Sequence, residues 1–365
     1  MDSQQWRPGQ WVEVKNLDEI LASLDADGRL DGLPFMPEMI EYCGHRFQVF
    51  KRAHKTCDSP NGLGSRFMPD AVHLEGVRCN GRHHGGCQAR CLIFWKDSWL
   101  KEAPEPAGAD DPSRTSQTVF TLWGSSHQNA KAVWTGSRKK EDPNQPHEPL
   151  YVCQSTTLPT STRPIPTWDL RQYVQDYRSG NVGLWRILTT FLLYLYRVLE
   201  TSRLGLGWFL RWSYDLVQKS RGGTLYPWRW GAIPNELPTP RSKLDLKPGE
   251  FARVKSYPEI VKTIHENRTN HGMIFDPEMV PYCGGTYRVL DRVTRIIDEK
   301  TGRLQTLKND CIILENVVCK ACYIKKQRFC SRSIYPFWRE VWLERVAESR
   351  GEKVRSRDSF AVDHT

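Results

Sequence analysis

Apolar and charged residues alternate along Trp11-Val12-Glu13-Val14-Lys15, the period of a half-buried strand, and Pro8-Gly9 before it predicts a turn. The acidic start Asp18-Glu19 followed by Ile20, Leu21 and Leu24 predicts a short helix. Asp25, Asp27 and Gly28 share residues with a calcium loop but lack its further carboxylates and closing glutamate, so an ordinary turn is expected there. Gly32 to Met39 carries Pro34 and Pro37, which fix the backbone of a long loop ahead of a strand bearing Phe47, Val49 and Arg52. Asp58 to Gly62 has the composition of a hairpin turn, and Asp70 to Cys79 predicts the returning strand.

Further along, Thr118 to Trp123, Ala130 to Gly136 and Leu150 to Thr157 predict strands, with a Pro, Ala, Asp and Gly-rich linker before them. Asp169 to Tyr177 predicts a helix ended by Gly180-Asn181. From Gly183 to Ser202 the apolar positions Leu184, Leu188, Leu192, Leu195 and Leu199 recur at helical spacing, with Arg186, Thr190, Arg197 and Thr201 as a narrow polar stripe. Leu204 to Val217 repeats the pattern with Trp208, Phe209 and Trp212. The unbroken apolar run, Phe191 to Tyr196, is too short to cross about 30 Å of hydrocarbon, so no transmembrane segment is predicted. Two fates fit this hairpin. It packs as a buried element with Leu188, Leu192, Leu195 and Trp208 inside, which is the expectation adopted here, or residues 183–217 lie on a membrane surface, rimmed by Arg186, Arg197, Arg203 and Arg211.

The pattern of the first 79 residues is written twice. With an offset of 240, Pro8-Gly9 falls on Pro248-Gly249, Tyr42-Cys43-Gly44 on Tyr282-Cys283-Gly284, and Leu74-Glu75 on Leu314-Glu315. Between Pro8 and Cys79, 23 of 72 pairs are identical without a gap, which predicts a duplicated module. Past the module, Phe94-Trp95 and Trp99-Leu100 recur as Phe337-Trp338 and Trp342-Leu343. The order of strand, loop with a helical turn, long hairpin and terminal strand resembles the small five-stranded barrels of Src-homology type, of KOW modules and of the nitrile hydratase β subunit. The expected fold class is therefore α+β: two small β-barrel modules bridged by strands and an amphipathic helical hairpin. The expected boundaries are 1–104 for the first module, 105–167 for linker and strands, 168–222 for the hairpin, 223–245 for a Pro and Trp-rich linker, 246–350 for the second module and 351–365 for a charged tail.

Composition narrows the partners. A formal charge of +10 directs the chain toward anionic ones: nucleic acid, a lipid surface or an acidic metabolite. The first eleven residues lack the apolar stretch of a secretory signal, which gives the expectation of a cytoplasmic protein whose eleven cysteines are thiols or metal ligands.

Candidate chemistry sits directly after the first module, in Cys79-Asn-Gly-Arg-His83-His84-Gly-Gly-Cys87-Gln-Ala-Arg-Cys91. Three thiols and two imidazoles within thirteen residues, loosened by glycines, form a candidate zinc set: Cys79, His83, His84, Cys87 and Cys91. Thiols packed as small hydrophobes, or a redox centre, fit the same residues. Cys153 is a further thiol that could return to this loop or sit in a core. Cys43 and Cys283, in Tyr-Cys-Gly turns, are expected to be buried structural thiols. His45, His54, His73, His83 and His84 have no counterpart in the second copy, and a function gained by the first copy would lie at Cys57, His54, His73, His83 and His84. No nucleophile elbow, phosphate loop or HExxH motif is present. Three functions follow as expectations. The first is a binding or scaffold protein, zinc-stabilised, acting on a protein or anionic partner; the second is a metal- or thiol-dependent enzyme centred on the Cys/His loop; the third is a nucleic-acid binder.

Overall fold

The computed structural model describes residues 5–58, 64–105, 128–139, 149–202 and 205–346. The expected strand at Thr118–Trp123 lies outside them, as do most of the Asp58–Gly62 turn and the charged tail. The chain is mixed α/β with several antiparallel sheets. It divides into two compact units: residues 1–181, 295–306 and 330–332, and residues 182–294, 307–329 and 333–365.

In the first unit the alternation read at Trp11–Val14 is a strand whose even positions, Val12 and Val14, are buried. It lies in a five-stranded antiparallel sheet ordered Trp95–Lys96, Ala71–Leu74, Arg46–Arg52, Trp11–Val14, Leu100–Glu102. Val12 stands opposite Phe47 on one side and Glu102 on the other. The predicted short helix is Leu17–Leu21, started by a capping box in which Asn16 and Glu19 exchange hydrogen bonds. The Pro34-x-x-Pro37 loop winds into a 3-10 turn, Pro37–Tyr42, which places Glu38 in the interior. Phe35 stands edge-on to Trp99 at 5.4 Å and to Trp95 at 6.4 Å, and these fully buried rings anchor the core. The Asp25 segment is the expected turn: Asp25 Oδ1 accepts the amides of Asp27 and Arg29.

Two expected strands are replaced. Ala130–Gly136 belongs to a helix, Gln128–Gly136, and the consecutive residues Ala132 and Val133 are both buried, which breaks the alternation a half-buried strand would show. Of Leu150–Thr157 only Leu150–Tyr151 is a strand, paired with Arg138–Lys139. Beyond it the Thr156 and Thr157 hydroxyls donate to the Cys153 carbonyl and curl the chain into a turn. The helix expected at Asp169 to Tyr177 runs from Arg171 to Arg178 and ends before Gly180, whose φ is 78°.

The second unit holds a four-stranded sheet ordered Leu304–Leu314, Thr286–Ile297, Phe251–Val254, Leu343–Val346; the tip of its long hairpin, residues 295–306, counts with the first unit. Its core gathers Phe275, Trp338, Trp342, Tyr257, Ile260 and Leu314. Phe275 meets Trp342 edge-on at 5.2 Å and Trp338 at 6.1 Å. Helices Leu184–Glu200 and Gly207–Arg221 form an antiparallel pair, and Gly222, at φ 64°, supplies the left-handed residue that ends the second.

Candidate functional site

The Cys79–Cys91 loop closes on itself. Cys79 donates its amide to the Cys91 carbonyl at 2.9 Å, and Arg78 bridges to Leu92. Gly81 is required at the fold-back: its φ is 65°, and a Cβ would lie 2.0 Å from the Cys87 carbonyl oxygen. Glu38 pins the loop from inside. Its Oε1 accepts the His83 amide at 3.0 Å and the His84 Nδ1–H at 2.7 Å.

The five histidines are distributed differently from a metal centre. His84 Nε2 donates to the Val152 carbonyl at 3.0 Å, so an acceptor faces each ring nitrogen and neither lone pair is offered to an ion. Burial pushes the Glu38 carboxyl up, but the hydrogen bond and charge of His84 outweigh it and hold the group below its ordinary value. His83 stacks edge-on to Trp134 at 4.6 Å and lines an open cavity of about 510 Å³ with Arg82, Arg138 and Tyr151. His73 is fully buried between the Ile93 carbonyl and Ser331, and burial drives its pKa down to about 3, so it stays neutral. His54 bonds the buried carboxylate of Asp176, which also takes Lys55. His45 is half-buried beside the first strand. Sequence spacing carried no signal for these partners, since Glu38, Asp176 and Ser331 are all remote in the chain.

The thiols do come together. Cys79, Cys87, Cys91 and Cys153 line one cavity of about 40 Å³, with Met36, Ser155, Ile297 and Glu299 around them. Burial is the main reason three of these thiols are raised, Cys79 well above the ordinary value, Cys87 to about 11 and Cys153 to about 12, and the neighbouring thiols add to it. Among the described residues no three His, Cys, Asp or Glu side chains converge closely enough, as they stand, to hold an ion. The other expected thiols are dispersed. Cys57 and Cys330 are free thiols hydrogen-bonded in the interior of the first unit, Cys322 of the second unit receives Arg186 at 3.2 Å, and Cys43 and Cys283, expected to be buried, are half-buried thiols packed against the two cores, each donating toward a methionine carbonyl.

The second feature overturns the expectation of a buried hairpin. Leu188, Leu192, Leu195 and Trp208 are 47, 63, 55 and 68% exposed. Among the described residues, thirteen large apolar side chains between Leu184 and Val217 are at least 44% exposed, Trp185, Trp208 and Trp212 among them. Within the second unit it is the polar stripe that packs inward. Arg186 donates to the Lys320 carbonyl and Cys322, Thr190 is buried, and Arg197 stacks on Trp228 at 4.5 Å. Arg328 packs on Tyr194 at 4.3 Å, Glu200 bonds Arg211 and Tyr226, and Asp215 takes the Tyr226 amide and Arg229. Arg186, Arg197 and Arg211 are thus engaged by protein partners, and Arg203 lies outside the described residues. Periodicity shows that a helix has two faces; it does not say which one the protein keeps. Among the described residues no helix is long and apolar enough to cross a membrane. No family model, no curated protein and no solved structure matches the chain.

Proposed function

We propose that the chain is a docking protein that lies on an anionic lipid surface through the outward face of helices Leu184–Glu200 and Gly207–Arg221. The observation that carries this is the inverted hairpin, polar side inward and apolar side outward. Soluble monomers rarely leave a contiguous apolar patch larger than a few hundred Å². At 3.6 residues per turn Leu184, Leu188, Leu192, Leu195 and Leu199 form one stripe, and Trp185, Trp208 and Trp212 are rings suited to the headgroup boundary. Charge selects the occupant. The hairpin's two acids, Glu200 and Asp215, are covered and paired, whereas Lys219 and Arg221 are exposed at its end. A face whose exposed charges are cationic, on a chain of net charge +10, repels a second copy and attracts anionic headgroups, at about 1 kcal/mol per basic residue. Tryptophan fluorescence tests it: adding phosphatidylserine-containing vesicles at physiological salt shifts the emission to the blue, and an unchanged spectrum contradicts the proposal.

We infer further that this surface is carried by a duplicated module of the small-barrel kind. Support comes from side-chain geometry repeated at an offset of 240 residues up to Arg52 and Arg292, and of 243 at Asp97 and Glu340 and at Trp99 and Trp342. Phe35 with Trp99 (5.4 Å, 79°) corresponds to Phe275 with Trp342 (5.2 Å, 79°). Trp99 Nε1 donates to Ser23 as Trp342 Nε1 donates to Thr263, and Arg52 pairs Asp97 as Arg292 pairs Glu340. Within the first unit Gln88 N donates to Arg295 O, and Ser331 N to Lys55 O, both at 3.1 Å, a reciprocal pair in which hairpin and cysteine loop exchange partners.

A further inference from the structure

We propose that Cys79, Cys87, Cys91 and Cys153 bind one zinc-class cation, with Cys153 in the place that the loop's own histidines would otherwise take. The four cysteines line a single cavity of about 40 Å³, and a space of about 10–15 Å³ already holds a water molecule. Each sulfur is met by a donor. The Gly81 amide points at Cys79, the Ala89 and Ile297 amides at Cys87, and the Thr156 amide at Cys153, while the Ser155 hydroxyl points at Cys91 at 3.6 Å. Amides aimed at sulfur add little to neutral thiols and much to thiolates, because a charged acceptor roughly doubles the strength of a hydrogen bond. Short glycine-containing turns with amides directed at the ligand sulfurs suit a tetrahedral thiolate site and complete its outer shell.

The histidines are spoken for. His84 has both ring nitrogens bonded, and His83 stands on the other cavity. Binding replaces four S–H bonds with four S–metal bonds and releases four protons, so the complex carries two negative charges. Arg90 lines the cavity, and buried Arg332 reaches it by donating to Ser155 at 3.0 Å, the residue whose hydroxyl faces Cys91. Side-chain rotations must draw the sulfurs to about 2.3 Å from the ion, because they do not converge to that distance as they stand.

The test is zinc-edge X-ray absorption on the full chain purified without chelator and supplied with zinc, alongside metal analysis. One zinc per chain with four sulfur neighbours at about 2.3 Å is expected. The Cys153→Ser variant is expected to lose the four-sulfur shell, whereas His83→Ala keeps it. No retained zinc, or a shell containing nitrogen at about 2.0 Å, overturns the assignment. Should Cys153→Ser fail to fold, cobalt loading of the unsubstituted chain decides: tetrahedral bands with the charge-transfer intensity of four thiolates support the site, and their absence overturns it.

Discussion

Glu38 Oε1 accepts the ring N–H of His84 at 2.7 Å inside the first unit, and the same oxygen holds the His83 amide. The carboxylate thereby ties the 3-10 turn Pro37–Tyr42 to the cysteine loop. Because the folded carboxyl titrates below its ordinary value, the stability it contributes is present above the unfolded pKa and is lost as pH falls through the folded one. His84→Ala leaves this buried acid without its partner, and loss of one member of a buried pair costs about 3–5 kcal/mol. Urea unfolding at neutral pH checks it; a change under about 1 kcal/mol contradicts it.

Glu278 occupies the matching sequence position and behaves oppositely. Burial raises its pKa to about 7 although the Tyr323, Ile324 and Cys322 amides face it. A raised folded value means that its contribution is present below the unfolded value and is lost as pH rises from about 4.5 to about 7. Thermal unfolding of Glu278→Gln followed from pH 4 to 8 therefore loses the decline in stability that the unsubstituted chain shows across that window. Parallel pH profiles for the two proteins contradict it.

The opening of the first unit is legible in the chain because local rules and burial agree there. Trp11–Val14 alternates as a strand facing one core, and Asn16 with Glu19 marks its helix start. The remainder depends on partners remote in sequence. His84 reads as a ligand until Glu38 and the Val152 carbonyl are seen on its two nitrogens. Helix Leu184–Glu200 reads as a core element until Arg186 and Arg197 are found directed at Cys322 and Trp228. Cys153, sixty-two residues beyond Cys91, joins the thiol cavity only through the turn that Thr156 and Thr157 impose.

The two aromatic clusters bear equivalent loads. Trp99→Ala and Trp342→Ala each remove a fully buried indole together with its hydrogen bond to Ser23 or Thr263. Each is expected to destabilise its own unit by about 3–5 kcal/mol. Denaturant unfolding of the two variants measures this, and a cost below about 1 kcal/mol in either contradicts the packing described.

Arg186 fastens the first hairpin helix through its guanidinium to the Lys320 carbonyl and Cys322. Hydrogen bonds from a charged donor contribute about 1.5–3 kcal/mol, so Arg186→Ala is expected to accelerate amide hydrogen exchange along Leu184–Glu200 by tenfold or more. Exchange that stays unchanged in this helix contradicts the inward orientation of its polar stripe.

Leu192 is 63% exposed at the middle of the outward stripe, and its replacement tests the docking surface most directly. The unsubstituted chain is expected to cosediment with phosphatidylserine-containing liposomes at physiological salt, and Leu192→Asp to lose that binding while keeping the same melting temperature, since exposed substitutions change stability by about 0.5 kcal/mol or less. A chain that stays in the supernatant, or a Leu192→Asp variant that unfolds, contradicts the account.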